Sequence, residues 1–542
     1  MRIPGLQGLR IWLLAAVLDG LLVVFDLCVS PFERTTPAVL FPEAGTQDKQ
    51  CCFCAVHEKV RSATDLAYEV ISHHLRLFGV DDSGVDSRNA TPARLLLLTK
   101  PDIDDVQRAQ SFIAGGGVAI AALANADFCH AFGVTQKATL IPAPVVLAYQ
   151  PEPKQVWARL RTLHPYHAFH HPKGLPVVID PTGDAVWLRL QSGSSGLLLI
   201  GTDLAADLVR YRQGDPTKAA ARPTEAYWGI AGERPNYLFE EQLKDEPPQE
   251  RHADWWATAL ARFMSGKLDK KLLPLLPGDA PGAVIITGDD DQAYLEKYAE
   301  QQQFLKSIPI TYFLHPLTRH TPDTLHTMLD KPWIDLGIHP DALDTPARYG
   351  ELLREQVAWF KRLTGQPPLS LRNHGYLNDG YWGHLPHWIE ANIRISSNMT
   401  GLDGRVLNGS LLPARLAYNG TLTDHWSLLT AIGDGVRFIS KMSEAQSAEC
   451  VFALADRIRQ SGVPGIMVLN LHPQNVGETK AMHRAAMEVI KSGFYPWTMA
   501  DCLDWFERRD AGVRAATRFR IDVSPLRRMW NHVRSKFLSR AT

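Results

Sequence analysis

Seven cysteines among 542 residues are few, and their number is odd. An odd count argues against a complete disulfide framework. The cluster Cys51-Cys52-Phe53-Cys54 lacks the paired second half of a zinc ribbon, which leaves incidental thiols or a local metal or redox role. Charge of one sign is also missing: 57 basic and 58 acidic residues give a net charge of −1. Such a chain has no global field for nucleic acid or a membrane surface. Nor is there a long unbroken hydrophobic run. The stretch from Ile11 to Val29 is interrupted by Asp19 and Asp26, each costing about 2.5–3.5 kcal/mol at a bilayer centre. With Arg2 and Arg10 ahead of it, residues 1–35 read as a signal or anchor, or as a buried helix. Internal repeats and low-complexity tracts are absent. What is present is ordinary for a globular chain, 45% hydrophobic and 21% charged, and its length predicts two or three domains.

The most informative stretch is Pro281-Gly-Ala-Val-Ile-Ile-Thr-Gly-Asp289-Asp290-Asp291. A β-branched apolar run ending in three acids reads as a buried strand that delivers carboxylates to a sheet's C-terminal edge. Adjacent carboxylates repel, so such a cluster calls for a cation, a shared proton or open solvent. The alternative is a helix N-terminus, where acids favour the dipole. Three later segments have the same form: Trp333–Asp341 through His339, Pro368–Tyr376 through Arg372 and His374, and Gly465–Pro473 through His472. Helix-like stretches lie between them, which predicts a parallel sheet or barrel with all strand ends on one rim. Any one of these histidines alone would be read as structural; four coincidences on one rim point to a site.

On these motifs the chain resembles the polysaccharide deacetylases, the carbohydrate esterases with the NodB-homology domain and a distorted (β/α) barrel. Thr287-Gly288-Asp289-Asp290-Asp291 stands where the family has Thr-Phe-Asp-Asp-Gly. The resemblance implies Asp289 as general base, Asp290 and His339 as metal ligands, Arg372 orienting the base and His472 as general acid. It also departs from the family: Leu343 stands where a second histidine is expected, and His374 where the third motif has proline. His374 then completes a set of Asp290, His339 and His374, which suits zinc, with cobalt or manganese as alternatives. Tyr376, Trp382 and Asp291 are the substrate-binding candidates; the aromatic group Tyr381, Trp382 and Trp388 reads either as a sugar platform or as core. The implied activity is metal-dependent removal of N- or O-acetyl groups from a polysaccharide or glycan. Two other readings stay open: a degenerate carbohydrate-binding relative, and a nucleotide-sugar glycosyltransferase using Asp289–Asp291, although no nucleotide-binding strand–loop–helix is seen near the start of this region.

The barrel is expected over 271–506. Before it, residues 36–213 resemble the class I glutamine-amidotransferase-like fold, a flavodoxin-like doubly wound α/β layer. The resemblance rests on a β-α-β unit at 93–123 and a strand–helix pair at 195–213. Cys129 is the sole nucleophile candidate there and does not follow a strand directly, so this layer reads as non-catalytic. Residues 214–270 read as a linker with a docking helix carrying Trp255, Trp256 and Phe263, and 507–542 as a basic tail. The expected partner is a glycan, not nucleic acid, with the N-terminal segment as a route to membrane association. The expected setting is the cell envelope or secretion, with the cytoplasm left open.

Overall fold

Short apolar runs alternating with amphipathic stretches build two sheets. The computed structural model describes residues 66–78, 95–150, 158–192, 195–218, 251–268, 272–379, 381–401, 403–406 and 408–511. The hydrophobic N-terminal segment, the Cys51–Cys54 cluster and nearly all of the basic tail fall outside these residues. Among the described residues no helix is long and apolar enough to cross a membrane.

After helix α1 (Leu66–Leu77) come β1 (Leu95–Thr99), α2 (Val106–Ala114), β2 (Val118–Ala122), α3 (Ala126–Ala131), β3 (Thr135–Gln136), β4 (Val145–Tyr149), β5 (Ala158–Thr162), β6 (Phe169–His170), β7 (Leu175–Ile179), β8 (Ala185–Ser192), β9 (Ser195–Ile200) and α4 (Leu204–Gln213). Their sheet runs β1-β2-β9-β8-β7-β4-β5, with β3 and β6 to one side. Strands β1, β2 and β9 are parallel. The doubly wound layer expected here stops at those three strands; beyond β9 the sheet is antiparallel. The connections explain the change. β7 and β8 are joined by a tight turn in which Asp180 accepts from the N–H groups of Thr182 and Asp184. Links that short cannot carry the crossover that parallel neighbours need. Cys129 is fully buried on α3, and burial pushes its thiol up to about 12, which works against forming a thiolate.

Helix α5 (His252–Leu268) leads into the second sheet. It contains β10 (Gly282–Asp289), α6 (Leu295–Leu305), β11 (Ile310–Leu314), α7 (Pro322–Leu329), β12 (Ile334–Ile338), α8 (Tyr349–Thr364), β13 (Ser370–Leu371), α9 (Leu385–Glu390), β14 (Ile395–Thr400), β15 (Ala414–Tyr418), β16 (Thr421–Gly433), α10 (Gly435–Phe438), α11 (Glu444–Ser461), β17 (Gly465–Asn470), α12 (Lys480–Lys491), β18 (Tyr495–Trp497) and α13 (Met499–Asp510). Strands β11-β12-β13-β14-β16-β17-β10 are all parallel, and β10 pairs with β11 to close a seven-stranded barrel. The closure is partial. Only Ile286–Asp289 of β10 meets β11, while Ala283–Ile285 pairs with β18 at the other end. β10 is buried at all eight positions, as a central parallel strand should be.

One hydrophobic core joins the two sheets. Trp187 of the first sheet and Trp256 of α5 belong to the same buried cluster as Trp426, Val468 and Trp497 of the second. The Trp256 indole donates to Arg161 O at 2.9 Å. Asp254, also on α5, accepts from Arg251 and from the Leu411 N–H, and Arg251 donates to the carbonyls of Val463 and Pro464 just before β17.

Candidate active site

All seven barrel strands point their C-terminal ends to one rim. There β10 delivers Asp289 to Asp291, β11 His315, β12 His339 and Asp341, β13 Arg372 and His374, β16 Asp434, and β17 Asn470 and His472. The acidic triplet therefore ends a strand. Its alternative as a helix N-terminus does not apply, because α6 begins only at Leu295.

Asp289 and Arg372 form the buried centre. Arg372 has no solvent exposure, and its Nη1 donates to Asp289 Oδ1 at 2.8 Å and to Thr287 Oγ1 at 2.9 Å. Its other N–H groups donate to Ser397 O and Thr430 Oγ1. The second oxygen of Asp289 accepts from Asn470 Nδ2 at 2.8 Å. Burial works to raise the Asp289 pKa, but the Arg372 guanidinium and the imidazoles of His339 and His472 outweigh it, so the group sits below its ordinary value.

Strand β10 ends at Asp289, and the chain turns at Asp291, whose φ is 37°, which divides the triplet. Asp289 and Asp291 share a side. Asp290 turns away: its carboxylate accepts from the Tyr298 hydroxyl at 2.6 Å and from the His315 N–H at 3.3 Å. The structure brings together two of the three residues read from the sequence as ligands, His339 and His374. The carboxylate that meets His339 and His374 is Asp291, placed among the substrate contacts on sequence, and not Asp290.

The donor atoms of Asp291, His339 and His374 all lie within 4.8 Å of one another. His339 Nδ1 is 2.7 Å from Arg372 O. A carbonyl only accepts, so that nitrogen carries the proton and Nε2 of the neutral ring has a lone pair. Nε2 is 3.3 Å from Asp291 Oδ1, a buried oxygen with no hydrogen bond. Two acceptors facing each other at that distance need positive charge between them, either a second proton on the ring or a metal ion. Tetrahedral coordination with bonds of about 2.0–2.1 Å spaces neighbouring donors roughly 3.3 Å apart, so a divalent ion fits these residues. Burial works to raise the Asp291 pKa, but His339, His472 and His374 carry it well below the usual carboxylate range. The site is open to solvent, since the side chains of His374, Asp291 and Asp341 keep 32%, 29% and 33% of their exposure.

Beside Asp289 and Asp291 stands His472. Its Nδ1 donates to Asp434 Oδ1 at 2.7 Å, and its backbone N–H donates to Asp434 Oδ2 at 2.8 Å. Nε2 faces Asp289 and Asp291 at 3.6 and 3.4 Å. Burial lowers the pKa, but the charge and hydrogen bond of Asp434, with the two further carboxylates, raise it to about 10. Asp434 was not singled out in the sequence. Its signal was the apolar run Leu428–Ile432 ending in Gly433-Asp434, the same strand-end form as the other motifs.

Tyr376 lies beside this centre, its hydroxyl accepting from Asn470 Nδ2 at 3.1 Å. Its backbone N–H is bonded to Asn373 O. Trp382 does not belong to the site. It is buried, and its indole donates to Gln213 O at 2.9 Å, leaving no face for a sugar ring. Trp388 is likewise core.

No family model matches the chain, and no curated protein matches it either. Among solved structures it is similar to a protein of Mycobacterium smegmatis assigned as a polysaccharide deacetylase (16% identity, TM-score 0.34, 43% of this chain and 93% of that one). It is also similar to the chitin deacetylase of Colletotrichum lindemuthianum (18%, 0.29, 41% and 88%) and to a peptidoglycan deacetylase of Bacillus subtilis (13%, 0.28, 46% and 97%). At such scores, the reading of the site rests on its own geometry.

Proposed function

We propose that this chain is a metal-dependent hydrolase that removes N- or O-acetyl groups from a glycan. The observation that carries the reading is the convergence at one rim of three groups. These are the Asp289–Arg372 pair, the Asp434–His472 pair, and the donor set Asp291, His339 and His374. The motif resemblance supports the acetylated glycan as substrate.

Asp291, His339 and His374 would hold the ion, zinc by the mixture of imidazole and carboxylate, with cobalt or manganese as substitutes. When bound, a divalent ion brings the pKa of a water towards neutrality and polarises an acyl carbonyl. Asp289, kept ionised and aimed by Arg372 and Asn470, accepts the proton of the attacking water. His472, held protonated by Asp434, gives a proton to the leaving nitrogen or oxygen as the bond to the acetyl carbon breaks. Acetate and a free amine or hydroxyl are the products. Work on such a polymer goes with the cell envelope or secretion.

The test is metal content of the purified protein together with acetate release from partly acetylated chitin oligomers, xylan and peptidoglycan. One divalent ion per chain and acetate release from at least one substrate are expected. His472→Ala should lose about 10²–10⁴-fold in kcat while keeping its metal. A protein that takes up no zinc, cobalt or manganese, or loaded protein that releases no acetate from any of the three, sinks the proposal.

A further inference from the structure

We propose that Asp341 and His315 are positioning residues, a hydrogen-bonded pair that turns the His374 ring so that its Nε2 faces Asp291 and His339. The inference rests on the metal reading above and adds to it the reason why His374, outside the usual ligand motif, can serve.

Two groups of three donors occur at this rim among the described residues: Asp291, His339 and His374, and His315, Asp341 and His374. Hydrogen bonding tells them apart. His315 Nδ1 accepts the Leu317 N–H at 3.1 Å, so the proton of the neutral ring sits on Nε2. That nitrogen is 3.3 Å from Asp341 Oδ2 and donates to it. It offers no lone pair to an ion, and the second group is support for the first.

Asp341 is held through both its side chain and its backbone. Its Oδ1 accepts the N–H of Leu343, the residue standing where a histidine ligand was expected. Its backbone N–H donates to Gln356 Oε1, and its carbonyl accepts from Gln356 Nε2 on α8. The same Oδ1 is 3.2 Å from His374 Nδ1, close but off the line of a good hydrogen bond. Contacts of this kind are often loose in ligand-free sites and tighten on binding. The His374 backbone is fixed by its N–H to Pro340 O at 2.8 Å. One ring nitrogen therefore faces a carboxylate, and the other faces Asp291 Oδ1 at 3.8 Å. A carboxylate behind a ligand histidine sets its tautomer and direction, and losing it typically lowers metal affinity about 10–100-fold.

Cobalt(II) alone is the probe, titrated into the metal-free full chain with its visible absorption and a competing chelator as readouts, and circular dichroism as the check of folding. Asp341→Asn should weaken cobalt about 10–100-fold and alter the absorption band without loss of fold. His315→Gln, which keeps an N–H donor, should bind closer to wild type than His315→Ala. Asp341→Asn added to His374→Ala should weaken binding no further. Unchanged affinity in Asp341→Asn, or an equal loss in the His374→Ala background, overturns the positioning role alone. A folded wild type that takes up no cobalt overturns the metal reading and this inference with it.

Discussion

Arg372 lies between Phe313 and Tyr376, 4.7 Å from the first ring and 5.7 Å from the second. Five acceptors surround its guanidinium. Burial of this kind makes the pair with Asp289 asymmetric. Together the two charges roughly offset their desolvation, whereas removing one strands the other in the barrel mouth at a cost of about 3–5 kcal/mol. Arg372→Met is therefore expected to lower unfolding stability by that amount in urea titrations. Combining it with Asp289→Leu should recover most of the loss, because an apolar pair of similar volume leaves no charge behind. If the double variant is no more stable than the single one, the loss comes from the Ser397 and Thr430 contacts and not from a stranded carboxylate.

At the scale of elements, the end of β10 at Asp289 and the turn at Asp291 decide which acid meets the imidazoles. Asp290→Ala should keep its bound metal and lose stability through the Tyr298 contact, while Asp291→Ala should lose the metal and stay folded. Elemental analysis of both proteins, with thermal denaturation, separates them; metal loss in Asp290→Ala instead would restore the ligand set read from the motif. The barrel itself was legible from its repeated apolar runs ending in polar residues, because parallel strands buried on both faces leave that pattern. So was the meeting of Asp289, Arg372, His339, His374 and His472, since strand ends share a rim. The choice between Asp290 and Asp291 was not, because a motif aligned by letters carries no face. Trp382 misled for a related reason. Its sequence allowed either a sugar platform or core, and only the tertiary contact with Gln213 shows the indole turned inward. In the first sheet, β1-α2-β2 and β9-α4 were readable, but the antiparallel strands beyond them depend on turns whose effect on direction is not local.

Over the whole molecule, the shared core holds several histidines neutral, and this sets the response to acid. His252 accepts the Arg161 N–H, His384 stacks on Tyr349 with 3.6 Å between ring centroids, and His425 bonds Ile393 O and Ser396 Oγ. Burial is the first cause in each case, lowering His252 to about 3 and His384 and His425 to about 4. Their unfolded forms titrate near 6.5. A folded pKa below the unfolded one means the unfolded chain takes up protons that the native protein refuses. Stability is thus complete above 6.5 and falls as pH drops towards 4, by about 2 kcal/mol per group between pH 7.5 and 5. His472 acts in the opposite sense. Its raised pKa contributes stability that is complete below 6.5 and lost as pH rises through about 10, so over the same interval it offsets part of that loss. The lowered groups outweigh this offset, so stability is expected to fall by a few kcal/mol between pH 7.5 and 5, above the range where carboxylates titrate. Urea midpoints followed by tryptophan fluorescence at the two pH values measure it, and His425→Gln should reduce the difference by roughly the share of one group. Equal midpoints at both pH values would mean that these rings gain protons without unfolding the core.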